Sequence, residues 1–399
     1  MKLRTRRFSL LCSLILLAGI LAPAPAGRPS QSSSSKEIRK SEALAPGIEH
    51  LEIRRGDFAS EAGTDRWIIN VLVIEPKSGR LTLARALDEV VGAETTSSLA
   101  IRHGALAAVN GGYFRTTGTY RGEPAGMLKL GGKVLSEPSL PRSELAITNA
   151  DGAARIAVAQ IEVKTEIVAD SREMRAVDGI NRPREENEMI LYTPEFHRTT
   201  LTDPGGIEIA VERGRVTGVL EGEGSRPIPS EGCVVSAVGA AGRWAREHLR
   251  LGAPIEVRAE ITSHPPLPFA PEFIIGGGPL LVAAGRSTAA AAADAEQFKA
   301  DFSRARHPRT AVGVRREGSL ILVTVDGRQP KKSVGMTVEE LAGLMLELGC
   351  VEAVNLDGGG STTMVVKGKV ANNPSDATGE RPVSDALLVF SRNGGRGKS

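Results

Sequence analysis

A chain of 399 residues with 41% hydrophobic and 24% charged residues has the composition of a folded globular protein, long enough for one large domain or two ordinary ones. Aromatic residues make up 4% while glycine occurs 45 times, which points to many turns and short strands over a core of Ala, Val, Leu and Ile. The formal net charge of +3 belongs largely to the first residues: Lys2, Arg4, Arg6 and Arg7 precede an apolar run from Phe8 to Ala22, and taking them away leaves about −1. Charge therefore gives no case for a nucleic-acid partner.

Those four cations, the apolar run and the small residues Ala24-Pro25-Ala26 form the pattern of a cleaved secretory signal over residues 1–26. The run is shorter than the ~20 residues of a membrane span, so no stable anchor is expected and the address reads as secreted or periplasmic. Residues 27–47, rich in serine and charge, read as a flexible leader. Cys12 leaves with the signal, and Cys233 and Cys350 are either paired after export or two buried thiols.

From Ile48 the pattern becomes structured. Trp67 to Glu75 and Gly79 to Ala84 read as strands joined by a Pro-Lys-Ser-Gly turn, and Thr95 to His103 as a short helix. Ala105 to Val109 runs into Asn110-Gly111-Gly112, which by itself is also an ordinary Asn-Gly turn. Residues 151–266 hold strand-like runs without a catalytic signature and read as a β-rich insertion or subdomain. Phe273 to Val282 is a strand interrupted by three glycines, and Thr288 to Arg304 reads as one alanine-rich surface helix. His307 to Val314 reads as a strand entered through a basic, hydroxyl-bearing corner, and Leu320 to Val325 as the next, ending in Asp326-Gly327-Arg328. Thr337 and Glu340 form a capping box for a helix to Leu348 whose apolar stripe is core. Gly349 stops it, and the strand from Val351 ends in Asp357-Gly358-Gly359-Gly360-Ser361-Thr362. The last strand is Ala386 to Phe390, and residues 392–399 read as a disordered tail. The expected fold is α+β: one large mixed sheet with flanking helices, in a single domain over residues 48–391.

Familiar catalytic signatures are missing: there is no G-x-x-x-x-G-K-[ST], H-E-x-x-H or G-x-S-x-G. The six histidines are scattered and read as surface or capping residues. What recurs is a polar side chain that ends an apolar strand and precedes glycine: Asn110, Asp326 and Asp357, with Arg309, Arg328 and Arg381 near strand ends. Carboxylates, an amide, arginines and glycine N–H groups at one sheet edge suit a polar ligand bearing a phosphate.

The ordered set VNGGYF, GGGPLLV, HPRTAVGV, VDGR, SVGMTVEEL, NLDGGGSTTM and ERPVSDAL resembles the phosphodiester glycosidase family, most densely over the last ninety residues. The resemblance implies hydrolysis of the bond between a sugar C1 and a phosphate oxygen, on a phosphorylated glycan or other sugar-1-phosphodiester. It implies Asp357 as base, nucleophile or cation stabiliser, with Asp326 as its partner. Arg309, Thr310, Arg328, Arg381 and the turn of Gly358, Gly359, Gly360, Ser361 and Thr362 would hold phosphate, and Asn110 and Gly111 the sugar or phosphate. No cofactor is required by these residues, and a divalent metal bridging the carboxylates stays open. Two other readings remain: an envelope protein that only binds phosphorylated polysaccharide, and a metal-dependent phosphodiesterase, which would want more clustered Asp and His.

Overall fold

The alternation of side chains along four strands decides the layering. In Trp67–Ile74, Leu320–Val325, Arg309–Arg315 and Cys350–Asn355, one set of residues (Leu72, Ile74, Leu320, Leu322, Val312, Val354) faces one core. The intervening set (Ile69, Val71, Ile321, Val323, Ala311, Ala353) faces a second. Successive side chains of a strand point to opposite faces, so a continuous apolar run fits a sheet covered on both sides. Each fully buried aliphatic side chain contributes about 1.5–3 kcal/mol.

The computed structural model describes residues 37–58, 65–170 and 172–392. These four strands sit inside an eight-stranded sheet ordered Glu37–Ala45, Ile48–Arg55, Trp67–Ile74, Leu320–Val325, Arg309–Arg315, Cys350–Asn355, Leu280–Ala283 and Arg286–Ser287. One face is covered by the helix Val338–Glu347, which buries Leu341, Ala342 and Met345. Its expected capping box is present: Thr337 accepts from Glu340 N and Glu340 accepts from Thr337 N. The other face packs on a five-stranded sheet ordered Lys369–Val370, Met364–Val366, Ala107–Asn110, Asp385–Ser391 and Gly79–Arg85, through Leu81, Val109, Met364 and Leu387.

Segment 151–266 contributes a third core around Ile209, Val235 and Ala241, between a second five-stranded sheet and the helix Gly239–His248. Its longest strand, Arg155–Ala169, also pairs with Ser143–Thr148, and so carries the segment into a seven-stranded sheet. Cys233 and Cys350 are both free and buried. Among the described residues no helix is long and apolar enough to cross a membrane.

Three expectations change. The protein is β-rich, built from several sheets, and all pairings in the eight-stranded sheet are antiparallel. Only Gly179–Ile180 with Met189–Tyr192, in another sheet, pairs in parallel among the described residues. Hairpins and meanders dominate because most connections are too short for the helical crossover that parallel strands need. Residues 37–45, read as flexible leader, form the edge strand Glu37–Ala45, held by Ile48–Arg55 and by the pair Arg55–Glu37 at 2.8 Å. The single helix expected over Thr288 to Arg304 is two, Ala289–Ala295 and Ala300–Arg304. Glu296 breaks it by turning into the protein, where its carboxylate accepts from Ser143 N, Ser143 Oγ and Leu280 N at 3.1, 2.8 and 3.0 Å. The signal read in residues 1–26 and the tail beyond Arg392 lie outside the described residues.

Candidate active site

Strand pairing brings the motif turns together. Cys350–Asn355 lies beside Arg309–Arg315, so Asp357 leaves its strand next to the His307-Pro308-Arg309 corner, with Leu356 N donating to Thr310 O at 2.9 Å. The second sheet delivers the Asn110 turn to the same place: Asp357 N donates to Gly111 O at 3.1 Å, and Asn110 Nδ2 donates to Asp357 O at 2.7 Å. The result is a cleft of about 360 Å³ lined by Asp357, Gly358, Gly359, Gly360, Arg309, Arg328, Arg381, His307, Phe302, Lys299 and Asp301.

Asp357 is the carboxylate at the centre of this cleft. Burial pushes its pKa up to about 6, opposed by the Ser361 hydroxyl, the Gly358 N–H at 2.8 Å and Arg381, while Asp385 adds to the rise. At neutral pH it is mostly ionised. Asp385 lies behind it, buried, accepting from Gly112 N at 2.9 Å and Ser384 Oγ at 2.6 Å. A Cβ at Gly111 would stand 1.9 Å from Asp385 Oδ1, which leaves that position to glycine.

The arginines differ. Arg381 is held by Asp376 through two bonds of 2.8 and 3.1 Å, and its loop is pinned where Glu380 accepts from Ser97 N and Oγ. Arg309 is 1% exposed and has no ion-pair partner among the described residues; it donates to the carbonyls of Met336, Phe302 and Ala305 at 2.8, 2.6 and 3.2 Å. Burial lowers its pKa to about 10, so it stays charged, and its guanidinium carbon lies 4.8 Å from the centre of the Phe302 ring. Arg328 is exposed, also without an acidic partner among the described residues, and donates to His307 Nδ1 at 3.4 Å. Two guanidinium groups without counter-charges at one cleft wall describe an anion site.

Several residues expected at the ligand hold the turns instead. Asp326 is 1% exposed, is not part of the cleft lining, and accepts from Asn372 Nδ2, Asn373 N and Asn373 Nδ2 at 2.8–3.1 Å. Both of its oxygens are engaged by the Asn372–Asn373 turn, and it stands outside the lining of the cleft that holds Asp357. Asn110 is fully buried, its Oδ1 accepting from Thr310 Oγ1 and Thr363 N at 2.7 and 3.1 Å. Thr310, Ser361 and Thr362 are buried as well, and Gly111 carries backbone bonds only. The expected nest of free N–H groups is largely closed: Gly358 N caps Asp357, and Gly359 N donates to Pro308 O at 2.9 Å. The glycines matter for close approach. Gly359 has φ +60°, and a Cβ at Gly360 would stand 2.1 Å from Arg381 Nη2.

Lys299, Asp301, Phe302 and His307 were not singled out from the sequence. The first three belong to the segment read as an alanine-rich surface helix, and His307 could have been found from its place at the corner two residues before Arg309. A larger cleft, about 540 Å³, lies around Phe114, Arg115, Glu123, Glu137, Arg182 and Glu188. Of its carboxylates, Glu123 is paired with Arg115 and Glu137 and Glu188 with Arg182, while Asp178 and Glu185 also line it; no strand-end motif residue does. The strand-end residues Asp357, Arg309, Arg328 and Arg381 line the smaller cleft.

Residues 205–390 match the family model for phosphodiester glycosidases, the family that the motifs resemble. The matched stretch begins after the Asn110 turn, although that turn touches Asp357 directly. An 84-residue stretch is 46% identical to the SPbeta prophage-derived uncharacterized protein YomE of Bacillus subtilis (strain 168), covering 21% of this chain and 13% of that one. A 68-residue stretch is 47% identical to the N-acetylglucosamine-1-phosphodiester alpha-N-acetylglucosaminidase of Bos taurus, covering 17% of this chain and 12% of that enzyme. The matches thus span about an eighth of these relatives. Over nearly the whole chain the fold is that of a crystal structure from Burkholderia pseudomallei K96243, with TM-score 0.79, 24% identity, and coverage of 90% of this chain and 97% of that one.

Proposed function

We propose that this protein is an exported hydrolase that cleaves the sugar C1–O bond of a sugar-1-phosphodiester, releasing a free sugar and a phosphomonoester. The reading rests on one observation: a carboxylate with its pKa at about 6 shares a cleft with two arginines that lack acidic partners. The phosphoryl group would lie against Arg309 and Arg328, with Arg381 flanking. As the C1–O bond breaks, its electron pair goes to the phosphate oxygen and positive charge grows at C1. Asp357 stabilises that charge and takes the proton of the attacking water. A phosphate leaves readily, which lessens the need for a strong acid opposite Asp357. Phosphorylated glycans of the cell envelope or surroundings are the substrate class that fits an exported chain.

Incubation with a panel of sugar-1-phosphodiesters, with free sugar and phosphomonoester assayed separately, tests the reading. Equal release of both is expected. Release of the aglycone alcohol with sugar phosphate retained would mean P–O cleavage instead, and binding without turnover would leave an envelope binding protein.

A further inference from the structure

We infer that His307 is the proton-linked member of the anion site: it is neutral when the cleft is empty and takes up a proton when a tetrahedral dianion sits between Arg309 and Arg328. The inference rests on the reading of the cleft as a phosphate site and does not need the glycosidase chemistry.

The geometry carries it. His307 N donates to Met336 O at 3.1 Å and Met336 N to His307 O at 2.9 Å, so the backbone is clamped at the cleft rim. Its Nε2 lies 3.2 Å from Asp301 O, and a carbonyl can only accept, so the ring proton sits on Nε2. That leaves Nδ1 as an acceptor, 3.4 Å from Arg328 Nη2, where a protonated ring would set two donors face to face. The groups around it are Asp301 on Ala300–Arg304, Arg309 on its own strand and Arg328 after Leu320–Val325. Lys299, Arg381 and Asp357 line the same cleft. Burial and the two arginines lower the His307 pKa, and only Asp301 pulls the other way. An anion between Arg309 and Arg328 cancels the field that keeps the ring neutral and offers Nδ1 an acceptor in place of a donor. A phosphomonoester dianion does so more than a diester monoanion, so a protonated His307 favours product over substrate for as long as the product stays doubly ionised, its own second pKa lying near ~6.

Sulfate is the probe, because it is a tetrahedral dianion that does not titrate in the working range. Asp357 also repels anions and titrates nearby, so the full chain carrying Asp357→Asn is used. Calorimetry in buffers of different ionisation enthalpy gives the protons taken up, and ring nitrogen signals give the His307 midpoint with and without sulfate. The expected result is a midpoint below the ordinary ~6.5 that rises by about one unit with sulfate, and affinity about tenfold tighter at pH 5 than at pH 8. Adding His307→Gln should remove the uptake and flatten the pH dependence of sulfate affinity between pH 5 and 8. An unmoved midpoint, uptake that survives His307→Gln, or no sulfate binding between pH 5 and 8 overturns the inference. Sugar release without proton linkage would overturn the inference alone, and linkage without sugar release would overturn the glycosidase reading alone.

Discussion

At the scale of single residues, position in the turn separates chemistry from support. Asp357 and Asp326 both end apolar strands before glycine, yet Asp357 opens to the cleft while Asp326 is closed over by Asn372 and Asn373. Asp357→Asn keeps shape and the bond from Gly358 N, and should lower turnover at least ~100-fold while anion binding holds or tightens. The same substitution has a pH signature. The folded pKa of Asp357 is raised from 3.8 to about 6, so its favourable contribution is complete below 3.8 and lost as pH rises through 6. Asp357→Asn should therefore melt higher than wild type at pH 8 and level with it at pH 3.5; a lower melting temperature at pH 8 would contradict the burial argument. Asp326→Ala leaves Asn373 N and Nδ2 without their acceptor and Asn372 Nδ2 with Thr362 O alone, and urea unfolding should show a loss of about 2–4 kcal/mol. Sugar release per folded molecule should fall far less than for Asp357→Asn.

At the scale of elements, the stretch from Glu296 to Arg309 is a strap whose two ends do different work. Glu296 fastens one end to Ser143 and Leu280, and the Arg309 guanidinium fastens the other by donating to Phe302 O and Ala305 O. Between them, Phe298 stacks on Phe302 at 4.8 Å, and Phe302 forms a wall of the cleft. Glu296→Ala should loosen this wall, with KM rising about tenfold or more and kcat changing less; an unchanged KM would show that the strap holds without that anchor. The capping box of Val338–Glu347 lies outside this chemistry. Thr337→Ala should cost about 1 kcal/mol in urea unfolding and leave KM as it was.

At the scale of the molecule, two sheets and a loop must be assembled before the site exists. Asn110 comes from one sheet, Asp357 and Arg309 from the other, and Arg381 from a loop pinned by Glu380 to the helix Thr96–Arg102. Global unfolding and loss of the site should therefore coincide in denaturant. Because Asp357 must be ionised to stabilise charge at C1, turnover should rise with pH through about 6 and then level. A profile that falls over pH 5 to 7 would mean that the protonated carboxyl acts instead.

The sequence by itself determined the elements whose signals are local. Thr337 and Glu340 cap a helix, alternation and apolar runs mark strands, and Asp357 followed by three glycines marks a turn built for close approach. These are legible because they depend on neighbours within a few residues. Only the tertiary structure decided which strand-end side chains face the cleft, since Asn110 and Asp326 meet their partners Thr310 and Asn372 from 200 and 46 residues away. It also decided that Glu296 breaks an alanine-rich helix, because the donors that draw its carboxylate inward, Ser143 and Leu280, belong to other strands. Burial and long-range hydrogen bonding assign those roles, and neither is written in local spacing.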